Sequence, residues 1–298
     1  MKNIKVILYL LSIVLLASCT EEIVIDLEEG SPMIGIDASI TDEMKHHEVI
    51  LSYSADFYNS TDIHMISNAV VLVTDGVDTI PFYECDTMAG HYFSPLMAGT
   101  KNRLYRLQVA IPDNSEPDGY QHLFAESYMC DNVESMDSIR VSMFNGPTDT
   151  IPTVLFRDTL EYLYPYFQSL PDMSIVYMPM VYKNDTLLTD VLTNRMLIPQ
   201  GGYAGYYVNG PEMLEANKEI PIYLFMRSKL KDGDRFKAEL YSVPMDYMYY
   251  LYSISASMGS NPMMGAPTNL ITNIQPEGKG VGWFYAASVV SAETVYHK

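Results

Sequence analysis

The sequence predicts a mainly β fold. An immunoglobulin-like β-sandwich over residues 31–130 is followed by a β-rich domain over 131–298, which carries one C-terminal helix near residues 244–258. Three observations lead there. Short runs rich in branched and aromatic residues recur along the chain, several with apolar residues at every second position. Turn signals stand between them, at Asp75-Gly76, Asn184-Asp185 and Lys231-Asp232-Gly233-Asp234. One late stretch, beginning at Pro244, instead repeats its apolar residues at helical spacing.

In chain order, His47 to Phe57 alternates, with Val49, Leu51 and Tyr53 on one face. Ala69 to Thr74 runs into Asp75-Gly76, and Thr79 to Glu84 returns as the second arm of a hairpin. Gly90 to Ser94, Arg103 to Ile111 and Leu123 to Met129 supply three more strands. Leu104, Tyr105, Leu107 and Val109 make the second of these almost wholly apolar, as expected of a central strand. Short strands at this spacing suggest the immunoglobulin-like sandwich. Beyond residue 130 the strand candidates are Val133 to Phe144, Ser174 to Tyr182 and Leu187 to Leu192, the last two flanking Asn184-Asp185. Ile220 to Leu230 and Arg235 to Val243 flank Lys231–Asp234 as a hairpin. Ser242 then suits a helix cap, Pro244 a first turn, and Asp246 the positive end of the helix dipole. Met245, Met248, Tyr249 and Tyr252 share one helical face, and Gly259 and Pro262 end it.

The N-terminus reads as an address. Lys2 and Lys5 precede a run from Val6 to Ala17 that is apolar apart from Tyr9 and Ser12. That is the length of a signal-peptide core, and short of the roughly 20 residues a membrane-spanning helix needs. Leu16-Ala17-Ser18-Cys19 follows, and it resembles the lipobox of bacterial lipoproteins. The resemblance implies cleavage before Cys19, acylation of its thiol (palmitate among the acyl groups), and a lipidated tether over residues 19–30. Each buried CH₂ of such chains contributes about 0.8 kcal/mol, so several hold a protein on a membrane without a span. A plain signal peptide with a chance cysteine is the alternative. Glu21 and Glu22 resemble the export signal that sends Bacteroidetes lipoproteins to the outer face of the outer membrane; the inner leaflet is the other destination.

The chain has 298 residues and a net charge of −19, from 18 basic and 37 acidic side chains. Cleavage before Cys19 would remove two lysines and no acid, leaving 280 residues at −21. Such a surface repels nucleic acid and anionic headgroups, so membrane contact is expected through the lipid anchor alone. The length suits two domains.

Catalytic signatures are missing. The sequence contains no G-x-S-x-G, P-loop, G-x-G-x-x-G or H-E-x-x-H pattern, so no catalytic residue is assigned and no cofactor is expected. A carboxylate pair for glycoside hydrolysis needs only to meet in space, and 37 acids leave that alternative open. His46-His47, with Asp42 and Glu43 nearby, could bind a metal, but adjacent histidines in a polar loop are more often solvated. Asp232-x-Asp234 lacks the further oxygen ligands of a calcium loop. Methionine is frequent, at 20 residues, with clusters at Met173, Met178, Met180 and at Met258, Met263, Met264. Their spacings do not repeat, so flexible packing or an adaptable contact surface is preferred to a Cu(I) site. No metal site is assigned.

Cys85 and Cys130 remain after the lipobox cysteine. An exported protein permits a disulfide between them, and two thiols are the other reading. Tyrosine offers a flat apolar face with a polar tip, which suits contact with sugars, peptides or proteins. Two clusters qualify as ligand or partner contacts: Tyr162, Tyr164 and Tyr166 beside Phe167, and Tyr203, Tyr206 and Tyr207 in a glycine-rich loop. A buried seam is the competing reading for both.

The C-terminal pieces form a recognisable series. Gly233-Asp234 opens a strand ending Ala238-Glu239-Leu240-Tyr241-Ser242. Then come Asp246-Tyr247-Met248-Tyr249-Tyr250-Leu251, Asn261-Pro262, Ala266-Pro267, Thr272-Asn273-Ile274 and Gly282-Trp283-Phe284-Tyr285-Ala286. With the lipobox, Val49 to Tyr53, Asn68-Ala69-Val70 and Gly90-His91-Tyr92, this order resembles the Bacteroidetes outer-membrane lipoprotein family called domain of unknown function 4249. Trp283 and the methionine-rich segment after Asn261 depart from the family pattern. The resemblance covers essentially the whole mature chain. It implies a surface-exposed outer-membrane lipoprotein, partnered with a TonB-dependent transporter in nutrient uptake, and it carries no catalytic residues. A small glycan, peptide or chelate would be the ligand. A surface glycan or peptide hydrolase, and a structural or adhesive envelope protein, are the alternatives. A further resemblance is to the Bacteroides O-glycosylation acceptor. Asp followed by Thr or Ser and then an aliphatic residue or methionine occurs around Thr79, Thr87, Ser138, Thr150, Thr159 and Thr186, where composition gives about one such triplet.

Overall fold

A computed structural model describes residues 33–54, 63–131, 135–144, 160–167, 175–188, 198–199, 222–224, 230–259 and 270–297. All lie in the compact unit Pro32–Lys298. The chain is mainly β with a single C-terminal helix among the described residues. The strands are β1 (Ile34–Thr41), β2 (Glu48–Tyr53), β3 (Val70–Thr74), β4 (Thr79–Cys85), β5 (Met88–Phe93), β6 (Arg103–Pro112), β7 (Tyr120–Met129), β8 (Met136–Phe144), β9 (Leu160–Phe167), β10 (Ile175–Lys183), β11 (Thr186–Leu187), β12 (Ile198–Pro199), β13 (Ile222–Leu224), β14 (Arg235–Pro244) and β15 (Gly280–Val295). The helix, α1, spans Met245–Gly259.

One sheet runs β11-β10-β14-β15-β1-β2-β5-β4-β3-β6-β7, with β12 on β10, and a second runs β13-β9-β8. The 16-residue β15 joins the two halves of the chain. Its first half pairs in parallel with β1, from Ile34↔Gly280 to Thr41↔Ala287. Its second half pairs antiparallel with β14, from Ser242↔Ser288 to Arg235↔Val295. The sheet is therefore continuous between residues 31–130 and residues 131–298.

Two burial regimes follow. Strands β1 to β7 alternate, because one face meets a core and the other meets water. In β7, Leu123, Ala125, Ser127 and Met129 are buried and the residues between them exposed. The core they share includes Ile36, Ile40, Leu51, Val73, Tyr105, Leu107 and, from β15, Phe284 and Ala286. Strands β10, β14 and the middle of β15 are buried on both faces. On one face Tyr177, Val181, Phe236, Ala238 and Leu240 pack against Met136 and Ile139 of β8. On the other, Met178, Tyr241, Val243, Trp283 and Tyr285 pack against Tyr247, Met248 and Leu251 of α1.

Several expectations change. Ile222–Leu224 pairs with β9, while β14 lies between β10 and β15, so the segments flanking Lys231–Asp234 are not the two arms of one hairpin. The turn itself is anchored elsewhere: Gly233 N donates to Tyr296 O, and Asp234 ties back to β10. Ser242 does not cap the helix. It is still in β14, and its hydroxyl donates to Asp131 O. The buried helical face carries Tyr247, Met248 and Leu251, whereas Tyr249 and Tyr252 are half exposed. Strand β6 is central in hydrogen bonding, between β3 and β7, but its outer face is in water and Leu104 points there. The Asn184-Asp185 turn has positive φ at both residues, 47° and 66°, the backbone a two-residue hairpin needs.

Candidate functional site

A polar cluster sits on the helix-bearing face of β10, β14 and β15. Period-two geometry puts Lys237, Glu239 and Tyr241 of β14 on that face, and Tyr182 of β10 stands opposite Lys237. Glu239 is only 5% exposed. A carboxylate so placed needs partners for both oxygens. Its Oε2 accepts from the Tyr182 hydroxyl at 3.2 Å and the Tyr241 hydroxyl at 3.0 Å. Its Oε1 lies 2.6 Å from Lys237 Nζ. The segment after β1 adds Glu43 and Lys45, paired at 2.8 Å, with Lys45 Nζ 5.9 Å from the Tyr241 ring centroid.

Burial, and then the Glu239 charge, push both hydroxyls well above the usual tyrosine range. They remain neutral donors at every physiological pH. The bond to Glu239 raises Lys237 and keeps it charged. The two hydroxyls and Lys237 are therefore held as donors around the buried Glu239 carboxylate. Toward α1 the same face becomes aromatic. Tyr247 lies 4.8 Å from Tyr285 and 6.1 Å from Trp283, and Tyr250 stacks on Trp283 at 5.3 Å between centroids. Trp283 Nε1 is buried without a hydrogen-bond partner among the described residues.

His46 and His47 turn to the backbone instead of pairing on a metal. His46 Nδ1 lies 2.7 Å from Ser94 O. His47 is 2% exposed, not solvated. Its Nδ1 accepts from Thr41 N at 3.4 Å while Nε2 faces Met97 O at 3.2 Å. That pattern fits the neutral ring, and burial, then the charge of Lys45, lower its pKa to about 4. Asp234 is engaged by Lys183 at 2.9 Å, by Asn184 Nδ2 at 2.9 Å and by Lys231 N at 2.8 Å. Burial alone would raise its carboxyl, but these bonds outweigh that and hold it at about 2. Among the described residues no group of three or more His, Cys, Asp or Glu is placed to hold a metal ion.

The other sequence candidates separate. Cys19, Glu21, Glu22, Tyr203, Tyr206, Tyr207, Thr150 and Thr159 lie outside the described residues. Tyr162, Tyr164 and Tyr166 fall at alternate positions of β9, opposite Ser142, Arg140 and Ser138 of β8. Thr79 opens β4, Thr87 lies in the β4–β5 turn, Ser138 is in β8 and Thr186 opens β11; all four are exposed. Cys85 ends β4, with its thiol 3.3 Å from Thr87 Oγ1, and Cys130 is buried just after β7. The structure holds them as two thiols, not as a bridge. Sequence reading missed Glu239, Tyr182 and Tyr241. The available signal was Lys237-x-Glu239-x-Tyr241, a polar face alternating with Phe236, Ala238 and Leu240.

A mainly β chain with one C-terminal helix, carrying a charged and aromatic cluster on the helix-bearing face of the sheet, is the class that fold and site define. The chain belongs to the family described as domain of unknown function (DUF4249), which it matches over residues 20–293. No curated protein matches it.

Proposed function

We propose that this protein is a lipid-anchored, outward-facing lipoprotein of a Bacteroidetes outer membrane, a non-catalytic accessory to a TonB-dependent transporter in nutrient uptake. The observation that carries the reading is Leu16-Ala17-Ser18-Cys19 followed at once by Glu21-Glu22. Membership of the family supports it, and the cluster around Glu239, with its carboxylate fully bonded, favours a binding over a hydrolytic role. We read β1 to β7, wrapped around one core, as the immunoglobulin-like sandwich, and the exposed Thr79, Thr87, Ser138 and Thr186 as O-glycosylation acceptors. The test is affinity purification of the tagged full chain from solubilised outer membranes of its native host, with and without Cys19→Ala. Co-purification of a transporter with the acylated form supports the proposal. Normal fatty-acid labelling of the Cys19→Ala variant, or recovery of the acylated form without any transporter, overturns it.

A further inference from the structure

Strand β7 turns a row of aromatic side chains outward. Because its odd positions enter the core, Tyr120, His122, Phe124, Glu126 and Tyr128 all point to the opposite face. Tyr120 is 39%, Phe124 43% and Tyr128 45% exposed. At about 3.4 Å per residue the row extends about 27 Å. Its first members also line a pocket of about 490 Å³, together with Glu116, Asp118, Gln121 and Lys279. That volume is within the range of small-ligand sites, about 300–1,000 Å³. The row and the pocket thus form one elongated surface that shares Tyr120 and His122, whose ring centroids are 6.3 Å apart.

We infer that this surface binds a neutral oligosaccharide. The inference gives a ligand class to the accessory, ligand-capturing role proposed above and rests on that reading. Three features of the face select this occupant. Its charged groups have partners in place: Arg106 Nε donates to Glu126 at 2.7 Å, His122 Nε2 lies 2.8 Å from Asp118, and Lys279 lines the same pocket as Glu116 and Asp118. On a chain of net −19, such balance suits an uncharged ligand, and the overall field repels an anionic one. The Arg106–Glu126 pair also interrupts the apolar surface, which makes a poor core for a protein interface. Finally, strand addition by a peptide is blocked midway along the β7 edge. There Phe124 N donates to Gln275 O at 2.9 Å, and Gln275 N donates to Phe124 O at 2.8 Å. A sugar chain meets the same features well. Its flat C–H faces stack on Tyr120, Phe124 and Tyr128, and its hydroxyls reach Asp118 and Glu126.

Affinity electrophoresis of the purified full chain tests this, through gels containing a neutral α-glucan, β-glucan or galactomannan, with anionic polygalacturonate as the control. Retardation by at least one neutral polymer is expected, and Tyr120→Ala with Phe124→Ala together weakens it at least tenfold while leaving the melting temperature unchanged. If that double variant melts early, Tyr128→Ala, at the far end of the row, carries the comparison. No retardation by any neutral polymer, retardation that the folded variants leave intact, or stronger retardation by polygalacturonate overturns the inference. Transporter co-purification plays no part in this measurement, so either reading can fail while the other stands.

Discussion

The Tyr241 hydroxyl donates to Glu239, two residues back along the same strand, at 3.0 Å. Side chains at i and i+2 share a face, so β14 builds its own acceptor and donor, and Tyr182 of β10 completes the arrangement. Glu239→Ala strands the buried Tyr241 hydroxyl and the partly buried Tyr182 hydroxyl and is expected to destabilise the protein by about 2–4 kcal/mol. Glu239→Gln keeps an oxygen for the tyrosines but turns an amide toward Lys237, which is exposed enough to swing away, so about 1 kcal/mol is expected. Equilibrium denaturation of both variants checks this. Equal losses would show that the carboxylate matters through its charge rather than through the two hydroxyls.

His47 gives the fold a pH dependence with a definite sign. Its pKa is lowered to about 4 in the folded chain, against an ordinary value of 6.5. Above 6.5 the ring is neutral folded and unfolded, and the group contributes no slope. Between 6.5 and 4 only the unfolded chain takes up the proton, so stability falls as pH falls, by up to about 1.4 kcal/mol per unit. Protonation also costs the bond that Nδ1 accepts from Thr41 N. In His47→Gln this part of the slope disappears. Melting temperatures of both proteins at pH 7, 6 and 5 supply the comparison, and parallel curves would show that His47 does not contribute.

Gly282 sets how closely β15 approaches β1. Its φ is +111°, and a Cβ there would stand 2.0 Å from Ile36 O. Gly282→Ala must therefore push apart the parallel pair that links the two halves of the sheet. A loss above about 3 kcal/mol, or insoluble protein, is expected. Gly76→Ala is the control. Its φ is +86° but the space around it is open, so the cost is backbone strain alone, about 1–2 kcal/mol. Similar losses in the two variants would mean that strain, not the approach to Ile36, limits Gly282.

Strands β2 to β7 were legible because one face meets water. The alternation in Glu48–Tyr53 and Leu123–Met129, and the turn at Asp75-Gly76, are local signals. Strand β15 was not read as a strand. Trp283 to Ala287 is buried on both faces, so no alternation survives, and its parallel partner β1 lies some 240 residues earlier with nothing local to announce it. The helix was legible but its buried face was not, since apolar residues surround it and Trp283 and Tyr285 decide which side is covered. Glu239 could not be singled out among 37 acids, because its role depends on Tyr182, 57 residues away.

The two acids after Cys19 yield the last prediction. If Glu21 and Glu22 form the export signal, they act after acylation, because the lipobox ends at Cys19 and the membrane anchor is complete without them. Replacing both with alanine should leave fatty-acid labelling and total amount unchanged while lowering the fraction that added protease cleaves on intact cells several-fold. The net charge of the cleaved chain changes only from −21 to −19, too little to alter solubility or steering, so a change in display would report the signal itself. Exchanging the acids for aspartates separates charge from side-chain identity: retained display points to charge alone. Unchanged protease cleavage in the alanine variant would place the export signal elsewhere in the chain. No cleavage of the unaltered protein on intact cells, with full cleavage after lysis, would reverse the proposed orientation.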